Sequence, residues 1–389
     1  MNEHGQARRV LVVGGGVAGT TVSIFLKQLG YDPILFEKRS KMGDVGGSLN
    51  LAPNGLKAAS FANLDGPLID AGAEIDNWKF MTPSGEVLTD FPIANPVKER
   101  YGYTFVGVKR TKLLEVLHKA VEETNGIKLK LGYNLKQIKN TPTGVTAVFQ
   151  NGEEFHGDLL IGADGLHSTT RYLLFGDNVA TYTGLTQVIG IADIPKDIRG
   201  DPNTFLNVAG RGAHFITYPF NKNELCYGCT QRDEPASESW KEVDVDHAKN
   251  SLFAKWSPVS SIIENSTKVI KIGLYDRPSL KSWSKDRVLL IGDAAHATSP
   301  HLGQGANQAL EDAYNLFCVL KRHSNVQEAF EEFYKIREPR TTALVTSARK
   351  YGEVRVCDDE QKCLERDEGY KQLFENGVNW EVFDKTYKI

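Results

Sequence analysis

The chain has 389 residues, 41% of them hydrophobic, with 46 Lys and Arg set against 49 Asp and Glu for a formal net charge of -3. That length supports two domains, or one large one with an inserted layer, around a real core. A charge so close to balance leaves no electrostatic footprint for nucleic acid or an anionic membrane.

Met1 to Arg9 is short and polar, without the apolar segment of a secretory signal. The longest apolar runs, such as Val10 to Val13 and Val288 to Ile291, fall far short of the ~20 residues of a spanning helix. Five cysteines, an odd number, predict free thiols in a reducing compartment, so a cytoplasmic protein, monomer or homodimer, is expected.

Arg9-Val10-Leu11-Val12-Val13 reads as a buried strand, followed at once by Gly14-Gly15-Gly16-Val17-Ala18-Gly19 and a helix from Thr20 to Gly30. Ile34 to Phe36 makes a second strand that ends in Glu37, with Lys38 beside it. Strand, glycine turn, helix, strand and acid are the dinucleotide fingerprint in its required context. Gly14 permits the turn, Gly16 lets the backbone approach a pyrophosphate, Gly19 lets helix pack on strand, and Glu37 can accept from a ribose hydroxyl. No second unit of this kind appears for another dinucleotide.

Lys41 to Gly47 is a glycine-rich loop, and Ser48 to Gly55 an extended segment turning into a helix. Val87 to Pro92 and Thr104 to Val108 read as strands of a sheet laid over the nucleotide domain. Arg110 precedes an amphipathic helix to Glu123, and its guanidinium suits a bidentate anion contact. Val145 to Gln150 and Glu154 to His156 form a hairpin around Asn151-Gly152. An apolar strand then ends in Asp164-Gly165. From Gly176 to Lys281 alternation dominates, with strands at Thr186–Ile194, Thr204–Val208, Ala213–Pro219, Glu224–Thr230 and Val269–Leu274. Cys226 and Cys229 lie on one strand three residues apart, which points their thiols to opposite faces and argues for packing, so no metal is expected. His214, Ile216 and Tyr218 share one strand face.

Arg287 to Ile291 is a buried strand ending at Gly292-Asp293, and a turn with Pro300, Gly303, Gln304 and Gly305 leads into a helix opening near Asn307 and running to about Leu320. A helix N-terminus presents unpaired N–H groups to an anion, and glycines let that backbone come close. Helices are expected at Val326–Ile336 and Arg340–Tyr351.

This stretch, Gly292-Asp293 through Gly303-Gln304-Gly305-Ala306-Asn307, resembles the single-component FAD-dependent aromatic hydroxylases, the salicylate, hydroxybenzoate and urate hydroxylase family. The resemblance implies a Rossmann-type α/β FAD domain interleaved with a mostly antiparallel substrate-covering sheet and closed by C-terminal helices. Its segments are expected at 1–75, 109–175 and 282–325 for FAD, 76–108 and 176–281 for the substrate, and 326–389 for the helices. It implies that Gly14, Gly16, Ala18, Gly19, Glu37, Lys38, Gly46, Gly47, Arg110, Asp164, Asp293, Gly303, Gln304, Gly305, Ala306 and Asn307 hold FAD. The implied reaction is reduction of FAD by NADH or NADPH, addition of O2 at flavin C4a, and delivery of one oxygen atom from the hydroperoxide to an aromatic, phenolic or polyketide-like small molecule. His214 is then a candidate base and Tyr218 a substrate or flavin contact. Urate hydroxylases carry an arginine and a tyrosine where His214 and Cys226 fall, which argues against urate. Other readings are a reductase or dehydrogenase on the same fold, a tetracycline-type antibiotic-modifying monooxygenase, and a flavin-binding sensor.

Overall fold

The computed structural model describes residues 8–41, 47–177, 179–196, 203–234 and 241–389. At its centre lies a six-stranded sheet in the order Ser284–Lys285, Val288–Leu290, Leu159–Gly162, Arg9–Val13, Asp32–Glu37, Lys128–Leu131. Every pairing is parallel except that of the edge strand Ser284–Lys285. Its strands are near-continuous apolar runs because both faces are covered. On one face the helices Val17–Gln28, Arg110–Glu123 and Gly305–Arg322 build the largest core, with Phe25, Leu117 and Leu316 fully buried. On the other, the three-stranded sheet of Leu135–Asn140, Val145–Phe149 and Glu154–Gly157 packs through Phe149 and Phe155 on Phe36, the Phe36–Phe149 ring centroids lying 4.4 Å apart.

The first helix corrects one expectation. It starts at Val17 and ends at Gln28, so Gly19 belongs to its first turn and does not precede it.

The covering sheet has eight strands in the order Lys241–Val243, Ser266–Asp276, Thr181–Asp193, Glu224–Arg232, Ala213–Pro219, Thr204–Ala209, Asn77–Met81, Val87–Phe91. Only the pairing of Thr204–Ala209 with Asn77–Met81 is parallel, so the sheet is mostly antiparallel, as expected. The expected company of 87–92 and 104–108 in one sheet does not hold. Phe105–Lys109 is instead the middle of a separate three-stranded sheet between Ser48–Leu51 and Gly72–Ile75. The helix Ala94–Tyr101, ended by Gly102 at φ 83°, redirects the chain between them. Gly107 seats that small sheet against the lid, since a Cβ there would come within 2.1 Å of the Pro219 carbonyl oxygen.

The lid sheet has two apolar faces. The outer, with Val208, Phe215, Tyr227 and Cys229, packs on Phe253, Trp256, Ile262 and Ile263. The inner, with Ile189, Ile191, Ile216, Tyr218 and Cys226, turns toward the nucleotide layer. Cys226 and Cys229 thus fall in different cores, as strand geometry requires.

Two helices expected at 326–336 and 340–351 are one, Val326–Arg355, with Pro339 inside it. Proline removes one backbone donor, but Arg337 and Arg340 on either side both bind the buried Glu311, which pins the helix across that turn. The helices Glu360–Gln372 and Trp380–Tyr387 follow, bringing Tyr370, Phe374 and Phe383 into the inner core beside Trp78, Phe80 and Phe105. Among the described residues no helix is long and apolar enough to cross a membrane.

Candidate functional site

Gly14 adopts φ +112°, and a Cβ there would lie 2.3 Å from the Ala163 carbonyl oxygen. Gly19 is tighter still, with a virtual Cβ 1.8 Å from the Gly14 carbonyl oxygen. Both positions require glycine because backbone meets backbone. Gly16 differs: nothing lies within 4 Å of its virtual Cβ, so this side of the turn is open. Gly16 caps the helix Val17–Gln28 without a side-chain hydrogen bond, and no acid occupies the first turn. Its N–H groups therefore face open space, the arrangement that receives a phosphate. Glu37 braces the turn, accepting from Gly15 N–H at 2.8 Å and Arg39 N–H at 2.9 Å. Lys38 is exposed beside it.

The second loop meets the first. Gly292, at φ +59°, has a virtual Cβ 3.0 Å from the Cβ of buried Ala18, so the late strand end and the first helix touch. Asp293 opens a short helical turn, Asp293–His296, with its side chain open to solvent and the neighbouring Ala294, Ala295 and His296 buried. Desolvation by the surrounding protein pushes its carboxyl up, opposed by the charges of His296 and Arg110. Arg110, at the start of its helix, is thereby brought to Asp293, and its own N–H donates to Gly47 O at 3.1 Å. Gly303 turns the chain at φ +63°, and the helix Gly305–Arg322 opens with no side-chain cap and no acid in its first turn. Gly305 and half-buried Ala306 lie at that end, the virtual Cβ of Gly305 3.9 Å from Asp293 Oδ1.

Asn307 is a clamp. Its Nδ2 donates to Asn50 O and Gly303 O, and its Oδ1 accepts from Ala52 N–H at 2.9 Å. Gln304 Oε1 accepts from Asn54 Nδ2 at 2.8 Å, while its Nε2 and the Oδ1 of Asn50 are buried with no hydrogen-bond partner. Buried polar atoms left unpaired are exceptional in a folded protein. Here they lie at the uncapped N-terminus of the helix Gly305–Arg322 and beside Gly303, which fits a polar heterocycle on a long phosphate-bearing arm. Asp164 braces its own loop, accepting from Ser168 Oγ at 2.5 Å and Thr170 N–H at 2.9 Å. Gly46 lies outside the described residues, and Gly47 abuts the lid, its virtual Cβ 2.5 Å from Ile189 Cγ2.

Beneath the second loop is a charge network that the sequence did not reveal. Asp312 Oδ2 accepts from Gly292 N–H and His296 Nε2, both at 2.7 Å, and Oδ1 from Arg337 Nε at 2.7 Å. Glu311 accepts from Arg337, Arg340 and Asn54. Glu311, Asp312 and Arg337 are each at most 1% exposed. The signal available was an acidic pair, Glu311-Asp312, set among Ala309, Leu310 and Ala313 on the apolar side of a helix. Arg171, also fully buried, holds Asp177 and the carbonyls of Ala294 and Ala295.

On the inner lid face, stacked Tyr218 and Phe205 lie with ring centroids 5.9 Å apart. His214 is 1% exposed, its Nε2 2.9 Å from Asn207 Oδ1, which sets the proton on Nε2. Burial, then the charge of Arg355, pushes His214 well below the usual imidazole range. It is therefore a neutral imidazole here, held to Asn207 through Nε2. Burial drives the Tyr218 hydroxyl upward, so it is a donor and not a phenolate.

Residues 7–348 match a family described as FAD binding domain. Over 373 residues the chain is 30% identical to 3-amino-4-hydroxybenzoate 2-monooxygenase of Streptomyces cremeus, covering 92% of this chain and 91% of that one. It is 28% identical over 376 residues to aurachin C monooxygenase/isomerase of Stigmatella aurantiaca, with 95% of each covered. Klebsiella pneumoniae HpxO, solved with FAD and uric acid, superposes with a TM-score of 0.86 at 24% identity, over 100% of this chain and 98% of that one.

Proposed function

Since the chain belongs to the FAD-dependent aromatic hydroxylases, a flavoprotein monooxygenase family, we propose that it hydroxylates a small aromatic molecule in the chamber between the second loop and the inner lid face. The supporting observation is the meeting of two loops 274 residues apart in sequence, through the Ala18–Gly292 contact, with an uncapped helix N-terminus on each side. Bound FAD supplies activation of O2 at the expense of NAD(P)H and the transfer of one oxygen atom to the substrate.

The chain supplies the rest. The N–H groups at Val17 receive the pyrophosphate, and Glu37 reaches the ribose of the adenosine end. The N–H groups at Gly305 stabilise negative charge at the other end of the cofactor. Asp293 and Arg110, which are close enough to feel each other's charge, would hold the chain that links the two ends. Ile189, Ile216 and Tyr218 keep water from the reacting centre, which protects the oxygen transfer from loss to solvent. His214 and Tyr218 contact the substrate as neutral hydrogen-bonding groups.

Purified protein is expected to carry or take up FAD and to oxidise NAD(P)H faster when a suitable arene is added, with O2 consumed and the arene gaining one oxygen atom by mass. His214→Ala is expected to keep FAD and lose hydroxylation. Product formed under strict anaerobiosis would overturn the proposal in favour of a reductase.

A further inference from the structure

Arg355, the last residue of the long helix Val326–Arg355, is 5% exposed and forms no ion pair with a carboxylate among the described residues. Its Nη1 donates to His301 O at 2.9 Å and its guanidinium lies 4.0 Å from the Tyr351 ring centroid, while its Nε is buried without a partner. A guanidinium keeps its charge at any ordinary pH and has five donors to place. Leaving it buried beside one carbonyl and one ring is expensive, unless an anion completes the set.

The groups around it point the same way. His301 lies in the turn Pro300–Leu302, just ahead of Gly303-Gln304-Gly305, with its ring against Gly352 and its Nε2 buried and unpaired. Asn207, bonded to His214 through Oδ1, leaves its Nδ2 buried and unpaired. Three buried side chains from a lid strand, the second loop and the long helix thus each hold a polar atom in reserve. The charge of Arg355 is felt at both His301 and His214. The neighbouring Arg366 is already engaged, with Asp367 at 2.8 Å and the carbonyls of Ala209 and Gly210.

We propose that Arg355, with Asn207 and His301 beside it, is the substrate-orienting subsite of this chamber and selects an aromatic monoanion, an arene bearing one carboxylate or one acidic ring oxygen. The count of one follows from the charges present. Burial, then the charge of Arg355, holds His301 down at about 3, and His214 is lowered likewise, so both rings are neutral near pH 7. Arg366 is balanced by Asp367, which leaves Arg355 as the single uncompensated cation of the cluster. A neutral arene leaves it unmatched, and a dianion brings one charge too many into a buried site. The apolar body of the ligand meets Ile216, Phe205 and Tyr218, and its anionic end fixes which ring carbon faces the cofactor.

This inference rests on the chain being an aromatic hydroxylase, and its test separates the two. A panel of hydroxybenzoates and aminobenzoates is titrated against the FAD-loaded protein beside the matched neutral amides. Binding is read from the perturbed flavin absorbance and from ligand-induced thermal shift. Wild type is expected to bind acids at least ~10-fold tighter than their amides. Arg355→Met should abolish that preference while FAD remains bound, and Arg355→Lys should restore part of it. No acid-over-amide preference across the panel in wild type overturns the inference whether or not the variants fold, as does a preference that survives Arg355→Met. Protein that cannot be loaded with FAD at all overturns the underlying reading instead.

Discussion

Asp312 shows how a single carboxylate can set the geometry of a cofactor loop. It accepts from Gly292 N–H, so the glycine at φ +59° is held in place by the helix beneath it. Burial would raise this carboxyl, but the charges of His296 and Arg337 and the hydrogen bonds from His296 and Gly292 outweigh it and hold it at about 2, against an ordinary 3.8. A carboxyl depressed by folding adds stability above its unfolded value and loses it as pH falls toward the folded one. The contribution, roughly 2–3 kcal/mol at about 1.4 kcal/mol per pH unit, should therefore be complete above about pH 4.5 and vanish between about pH 4 and 2. Arg337→Met leaves Asp312 and part of Glu311 buried without their cation, and is expected to cost about 3–5 kcal/mol. Urea titration at pH 7 measures this; a loss below 1 kcal/mol would mean that the pair is replaceable. The acidic pair stood out in the sequence but its partners did not, because Asn54, Glu311 and Arg337 are joined by contacts across up to 257 positions. Gly14 and Gly19 were legible because their partners lie in a local unit of strand, turn and helix whose spacing is itself the signal.

Among the elements, the C-terminal helices carry more than their late position suggests. Phe383 is 8% exposed, its ring centroid 5.9 Å from Trp78 and 5.3 Å from Tyr387, and Tyr387 meets Phe105 edge-on at 5.2 Å. Trp78 belongs to the lid and Phe105 to the small sheet, so one short helix fastens two layers. Phe383→Ala is expected to destabilise by about 3–5 kcal/mol through the lost ring and the cavity left behind. Thermal melting of the variant checks the size, and absorbance of the bound flavin checks that the cofactor seat, built from other segments, survives. Alternation located the lid strands, since a half-exposed or two-cored strand keeps its period of two. It could not place Phe105–Lys109, whose buried pattern suits either neighbouring sheet and whose membership was decided by the turn at Gly102. Pro339 likewise reads as a helix break until Arg337 and Arg340 are seen to grip the same carboxylate.

At the scale of the molecule, the nucleotide sheet takes strands from residues 9–13, 32–37, 128–131, 159–162 and 284–290, while the lid takes its strands from 77–91 and 181–276. Each layer is completed only after the chain has left it and come back. Unfolding should accordingly be a single transition seen alike by flavin fluorescence and far-ultraviolet circular dichroism, and FAD should raise its midpoint without splitting it. At free FAD a hundred times its dissociation constant the gain is about 2.7 kcal/mol, or about 3 °C for a chain of this size at roughly 2 cal/mol/K per residue. Two separated transitions, only one moved by FAD, would show the layers to be independent.

The contact of Gly107 with Pro219 has a further consequence. A book opens because its covers share one spine, but here the pages are stitched along several seams, and swinging the lid outward would tear the small sheet, the long helix and the aromatic clasp together. Molecules must come and go through a gap that widens locally, so traffic into the chamber should be governed by the few side chains at its doorway and be largely indifferent to solvent viscosity.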